Sequence, residues 1–295
     1  MKIFTALSSI ALLALVFAVP ASAETFSFTK NAKNVSVTMS VDSVDPESFE
    51  FRNLTIQIER DGVVVMTDVV AAPGCPNAES GCIPVSLTAK SDGDAFAVRN
   101  IDVDAEPEII LGIYTAKKLD MFSGYACCTM TRVYKWKPEA GKYVAYDKNF
   151  KNSHETVFTK IGTGKFMSFV GGDTRFTKKF APTKYAYLPT QIFQFKQNRR
   201  FVDVSTSYKK QLQNDSKKAL ATARKDCRSG NAFVNNQSAY AAYAANEYRL
   251  GNRAKALRVL RAEGKKGCFK GGTARTRKTF VTRVDTYLKR IKFNR

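Results

Sequence analysis

The sequence predicts an α+β protein: mostly antiparallel β, in sandwich- or propeller-blade-like sheets, followed by a small basic helical domain. Three observations carry this reading. Between residues 24 and 205, apolar side chains recur at period two in short runs separated by turn residues. After residue 205 the period becomes helical, and Ala, Lys, Leu and Arg dominate. The charge also changes sign along the chain. Residues 24–108 carry 6 basic and 15 acidic side chains, residues 109–205 carry 17 and 6, and residues 206–295 carry 23 and 5. With 44% apolar and 25% charged residues, the 295-residue chain is neither disordered nor low in complexity. Its length suits one large or two modest domains, divided here as 24–205 and 206–295.

The first element is an export signal. Lys2 gives a positive start, Ile10 to Val19 is uncharged and apolar, and Ala21-Ser22-Ala23 has the small-x-small pattern of a cleavage site. The run is shorter than the ~20 residues that span a bilayer. The expectation is therefore a secreted protein, extracellular or periplasmic, cleaved after Ala23 and without a transmembrane segment.

The β region opens with Val35 to Val41, where Val35, Val37, Met39 and Val41 alternate with Ser and Thr. Leu54 to Ile58 does the same, and Asp61-Gly62 ahead of Val63 to Met66 is a hairpin signal. Further strands are expected at Ile109–Tyr114, Thr131–Trp136, Phe166–Val170 and Ile192–Phe195. Helices are expected at Ser216–Arg224, Ser238–Leu250, Ala254–Glu263 and from about Arg277 to Ile291. In the last, Phe280, Val284, Tyr287, Leu288 and Ile291 form an apolar stripe suited to core packing.

Six cysteines in an oxidising compartment are read as disulfides. Cys75 and Cys82 close a short loop, and Cys227 and Cys268 are the two in the basic region, so they pair most simply. Cys127 and Cys128 are left: either they form a strained vicinal bridge, or one or both reach back to Cys75 or Cys82.

The most informative stretch is Asn100-Ile101-Asp102-Val103-Asp104-Ala105-Glu106-Pro107-Glu108, ahead of the strand at Ile109. Oxygen-bearing side chains stand at alternate positions, which suits a hard cation needing six to eight oxygens at about 2.3–2.6 Å. One calcium ion is expected, with Asn100, Asp102, Asp104, Glu106 and Glu108 as the candidate metal residues.

This run resembles the acidic loop of FG-GAP (integrin-α type, also VCBS) propeller repeats, D-x-D-x-D-G-x-x-E before an apolar strand. Asn100 stands for the first Asp and Ala105 for the turn glycine. The run, with Tyr125-Ala126-Cys127-Cys128 and Arg132-Val133-Tyr134, is also similar to a group of uncharacterised secreted bacterial proteins. A second repeat falls near Lys160 to Phe176, where the strand and the Gly172-Asp173-Thr174-Arg175-Phe176 tail persist without the acidic ligands. The resemblance implies a fold and secretion, and no activity.

Catalytic signals are sparse. The single histidine, His154, stands in a polar link, and G-x-S-x-G, P-loop and zinc-hydrolase motifs are absent from the sequence. The expected function is thus a non-catalytic binding or scaffold protein. Its basic domain would face an anionic cell-wall polymer or polysaccharide, with Arg283, Lys289 and Arg290 as candidate anion-binding residues and no specific nucleic acid. The alternatives are a cell-envelope hydrolase or a cationic antibacterial effector. Against all of these stands a plain solvated face that serves solubility.

Overall fold

The computed structural model describes residues 24–45, 50–71, 83–84, 95–102, 104–114, 129–150, 157–163, 166–176, 179–180, 187–197, 200–229, 237–269 and 273–293. The export segment, Cys75, Cys82, Cys127, Cys128 and His154 lie outside them.

Three antiparallel sheets precede a helical region, as the pattern predicts. The first sheet is a meander of β1 (Glu24–Ala32), β2 (Val35–Asp45), β3 (Glu50–Arg60) and β4 (Val63–Val69). Its inner face is set by the alternation read from sequence: Val35, Val37, Met39 and Val41 are buried, opposite Ile56 and Ile58 of β3. On the outer face Ser27 meets Ser40 at 2.8 Å and Thr29 meets Thr38 at 2.9 Å. The β3–β4 turn has Asp61 at φ 52° and Gly62 at φ 77°, the two positive φ values of a hairpin turn whose twist matches its strands.

The second sheet holds β5 (Ile83–Pro84), β6 (Phe96–Arg99), β7 (Glu108–Tyr114), β8 (Thr129–Lys137) and β9 (Lys142–Asn149). It is the middle layer. Ile109, Leu111 and Ile113 join the core shared with the first sheet, while Ile110 and Val133 join the core shared with the third. This two-sided burial is why β7 reads as a near-continuous apolar run. Arg132 fastens the first two layers: it pairs bidentately with Asp147 at 2.7 and 2.8 Å and reaches Asp68 at 3.1 Å. Tyr134 Oη donates to the same Asp68 at 2.8 Å.

The third sheet is β10 (Val157–Lys160), β11 (Met167–Gly172), β12 (Thr190–Lys196) and β13 (Arg200–Asp203). Phe150, Phe158, Phe169, Phe193 and Phe195 fill its inner side.

The helices are α1 (Lys209–Arg228), α2 (Gln237–Arg249), α3 (Arg253–Lys265), α4 (Ala274–Lys278) and α5 (Phe280–Arg290). In α2 every residue from Gln237 to Tyr248 is buried. Alanines make this fit possible, since small side chains let neighbouring helices close in on all sides. The long last helix expected from Arg277 is divided. Thr273 caps a short α4 by accepting from the Thr276 N–H at 3.2 Å, and the chain bends at Thr279 before α5 starts. The expected stripe survives: Phe280, Val284, Tyr287 and Leu288 are buried. Cys227 and Cys268 form a disulfide with Cα atoms 5.0 Å apart, tying the end of α1 to the chain just beyond α3.

Candidate functional site

The expected cation loop joins β6 to β7, and local hydrogen bonds fold it. Asp102 Oδ1 accepts from the Asp104 N–H at 3.3 Å, and Asp104 Oδ1 accepts from the Glu106 N–H at 2.8 Å. Such side-chain-to-backbone turns are why aspartates at alternate positions curl a chain. Glu108 Oε2 accepts from the Ile101 N–H at 2.9 Å and so ties the two ends together. Ala105 is not among the residues with positive φ, so the loop turns here without the glycine of the resembled pattern.

Three of the five candidate metal residues converge: ligand oxygens of Asp102, Asp104 and Glu108 lie within 4.8 Å of one another. Glu106 turns the other way and takes Arg60 of β3 bidentately, at 2.7 and 3.1 Å. That guanidinium sits 4.7 Å from the centre of the Trp136 ring. Lys33 donates to the Ala105 carbonyl, so the first sheet grips the loop's outer side. Asn100 is exposed at the loop's head.

A residue that the sequence reading did not single out occupies the middle of the triad. Lys135 Nζ donates to Asp102 Oδ2 at 2.6 Å, to Glu108 Oε1 at 3.0 Å and to Asp104. Its side chain is 6% exposed; those of Asp102 and Glu108 are wholly buried. Register places it there: Ile109 pairs with Tyr134, so the next residue of β8 comes alongside Glu108. Burial pushes the Glu108 carboxyl up to about 7, against the lowering effect of the Ile101 N–H and Lys135. The three carboxylates raise the Lys135 ammonium above the usual lysine range despite its burial. The one available hint was a charged residue between Tyr134 and Trp136 in a strand with no exposed flank.

A second arrangement lies at the helical end. Lys179, Phe180 and α5 enclose an open cavity of about 300 Å³ whose wall includes Arg283, Tyr287 and Arg290. Arg283 is held in place: its Nη2 donates to the Lys179 carbonyl at 3.1 Å and its Nη1 to the Thr276 carbonyl at 3.5 Å. Two of the three expected anion-binding residues are thus brought together. The third, Lys289, pairs with Asp285 at 2.9 Å and is not part of the wall. Arg253, Tyr248 and Lys289 hold the Asp285 carboxyl well below the usual carboxylate range.

Compared with family models, curated proteins and solved structures, the chain matches none. Its functional reading therefore comes from the two arrangements above. Among the described residues, no helix is long and apolar enough to cross a membrane.

Proposed function

We propose that the chain is an exported, non-catalytic binding protein, cleaved after Ala23, whose stacked sheets form a scaffold and whose basic helical region takes an anionic polymer. The supporting observation is where charge is compensated. Residues 206–295 hold five carboxylates against 23 cationic side chains. Three of the five are taken within the region: Glu247 by Lys255, Glu263 by Arg224 and Lys266, and Asp285 by Arg253 and Lys289. Cations thus stand well in excess of the region's own carboxylates. Against a hydrolase, Asp102 and Asp104 are both engaged by Lys135, an arrangement that suits holding a loop better than moving a proton.

The test is binding of the chain from Glu24 onward to wall teichoic acid and acidic polysaccharides at two salt concentrations. Saturable binding that weakens steeply with salt is expected, because neutralising a polyanion releases its condensed counterions. Absence of saturable binding to every polymer overturns the reading.

For the acidic loop we propose a structural cation site whose resident cation is the Lys135 ammonium, with calcium as the competing occupant of the same oxygens. Melting the protein in calcium and in chelator decides between them. A calcium-dependent rise in melting temperature assigns the site to the ion; an unchanged one assigns it to Lys135.

A further inference from the structure

The cavity beside α5 gathers three cations of the basic surface along one wall. Elsewhere in the region Arg224, Arg253, Lys255, Lys266 and Lys289 each face an acid within 3.3 Å. Among the described residues, Lys179, Arg283 and Arg290 pair with no acid, and no acidic side chain lines the cavity. Between the cations stand the hydroxyls of Thr282 and Thr286, and the floor is the largely buried rings of Phe180 and Tyr287. Arg283 lies 5.8 Å from the Phe180 ring centre and Arg290 lies 5.2 Å from that of Tyr287.

Resting on the binding role proposed above, we infer that this cleft is the subsite that reads the polymer, and that the polymer is an acidic polysaccharide with its charges on alternate sugars. Spacing supports this. Arg283 and Arg290 are seven residues apart on one helix, about 10 Å along its axis at 1.5 Å per residue. A nucleic acid duplex offers a phosphate every 3.4 Å or so along each strand, much denser than this pair of cations requires. The Tyr287 phenol is already committed, donating to the Arg175 carbonyl. Threonine hydroxyls over an apolar floor instead match a sugar ring, which shows hydroxyls at its rim and C–H groups on its faces. Carboxylates on every second sugar then fall to the two guanidiniums.

The neighbouring pair Arg290 and Lys289 supplies the test, because Arg290→Gln and Lys289→Gln remove the same charge one residue apart and only Arg290 lines the cleft. The chain from Glu24 onward is titrated with hyaluronan, a polymer with one carboxylate per two sugars, and with polyphosphate and duplex DNA at equal charge. The expected result is saturable binding with hyaluronan preferred. Arg290→Gln should weaken it about tenfold, the usual loss for a charged hydrogen bond, and Lys289→Gln no more than about threefold. Equal losses in the two variants overturn the cleft as the subsite and leave the general binding role standing. Equal or tighter binding of DNA or polyphosphate overturns the polysaccharide. If no polyanion binds saturably, the binding role itself fails and the subsite with it.

Discussion

Lys135 is the residue that holds the acidic loop onto β8 within the second sheet. Its ammonium meets three carboxylates that would otherwise repel one another in a nearly dry site. Removing one partner of a buried ion pair costs about 3–5 kcal/mol, because the remaining charges lose both water and partner. Lys135→Met should therefore lower the melting temperature sharply. If the ammonium stands in for a metal, calcium should recover much of the loss in this variant, while chelator abolishes the recovery. A Lys135→Met protein as stable as the parent, or indifferent to calcium, contradicts that role. Glu108 adds a pH signature. Its carboxyl titrates at about 7 when folded against an ordinary value of 4.5, so the folded chain keeps a proton that the unfolded chain releases first. Stability should thus fall as pH rises from about 4.5 to 7, by about 3 kcal/mol in all. Glu108→Gln should flatten that part of the profile, measured by denaturant unfolding at pH 5, 6 and 7.5; identical slopes in variant and parent would count against it. The acids were legible in the sequence because they stand in one short run at alternate positions. Lys135 was not, because it lies 27 to 33 residues away and only the pairing of β7 with β8 brings it in.

At the scale of elements, what the sequence revealed depended on how many faces each segment buries. β2 and β3 bury one face and show a clean alternation, so they were legible. The edge strand β1 was not singled out although Phe26 and Phe28 alternate with polar residues there; in the fold Phe28 stands 53% exposed. Helix α2 was found, but its surroundings were not: alanine-rich helices look alike whether they lie on a surface or pass through a core. The division of the last helix was missed because helical propensity runs unbroken through Thr279, and the capping hydroxyl of Thr273 is a local signal easily overrun. The disulfide is the element-level feature that the sequence predicted outright, since Cys227 and Cys268 were the only two cysteines in their region. It closes 41 residues around α2 and α3, for which chain entropy gives roughly 3–4 kcal/mol. The Cys227→Ser/Cys268→Ser double variant should lose amide-exchange protection in α2 before the sheets lose theirs. Protection falling first in the sheets would refute this.

Across the whole molecule, Arg249 couples the helices to the sheets, beside the hydrogen bond from Thr190 of β12 to Asp215 of α1 at 2.7 Å. Arg249 at the end of α2 is 5% exposed and reaches Asp173 beyond β11 at 3.3 Å and Asp203 of β13 at 3.5 Å. Its guanidinium also lies 4.2 Å from the ring centre of Phe293. Arg249→Met keeps the bulk and removes the charge, leaving Asp173 to Arg175 alone. Calorimetry should then show two transitions where the parent shows one, and a single unshifted peak would contradict the coupling. The middle sheet carries a consequence for how the molecule assembles. With both faces of β7 buried, its isoleucines stay wet until a neighbour arrives on each side, so that layer waits on two separate long-range closures. The helical end waits on distant partners too, since Arg283 and Tyr287 of α5 close on Lys179 and Arg175, more than 100 residues earlier in the chain. As a chain emerges from its N-terminus, the first meander can therefore pair as it appears, whereas the helical core is complete only once its last helix is out.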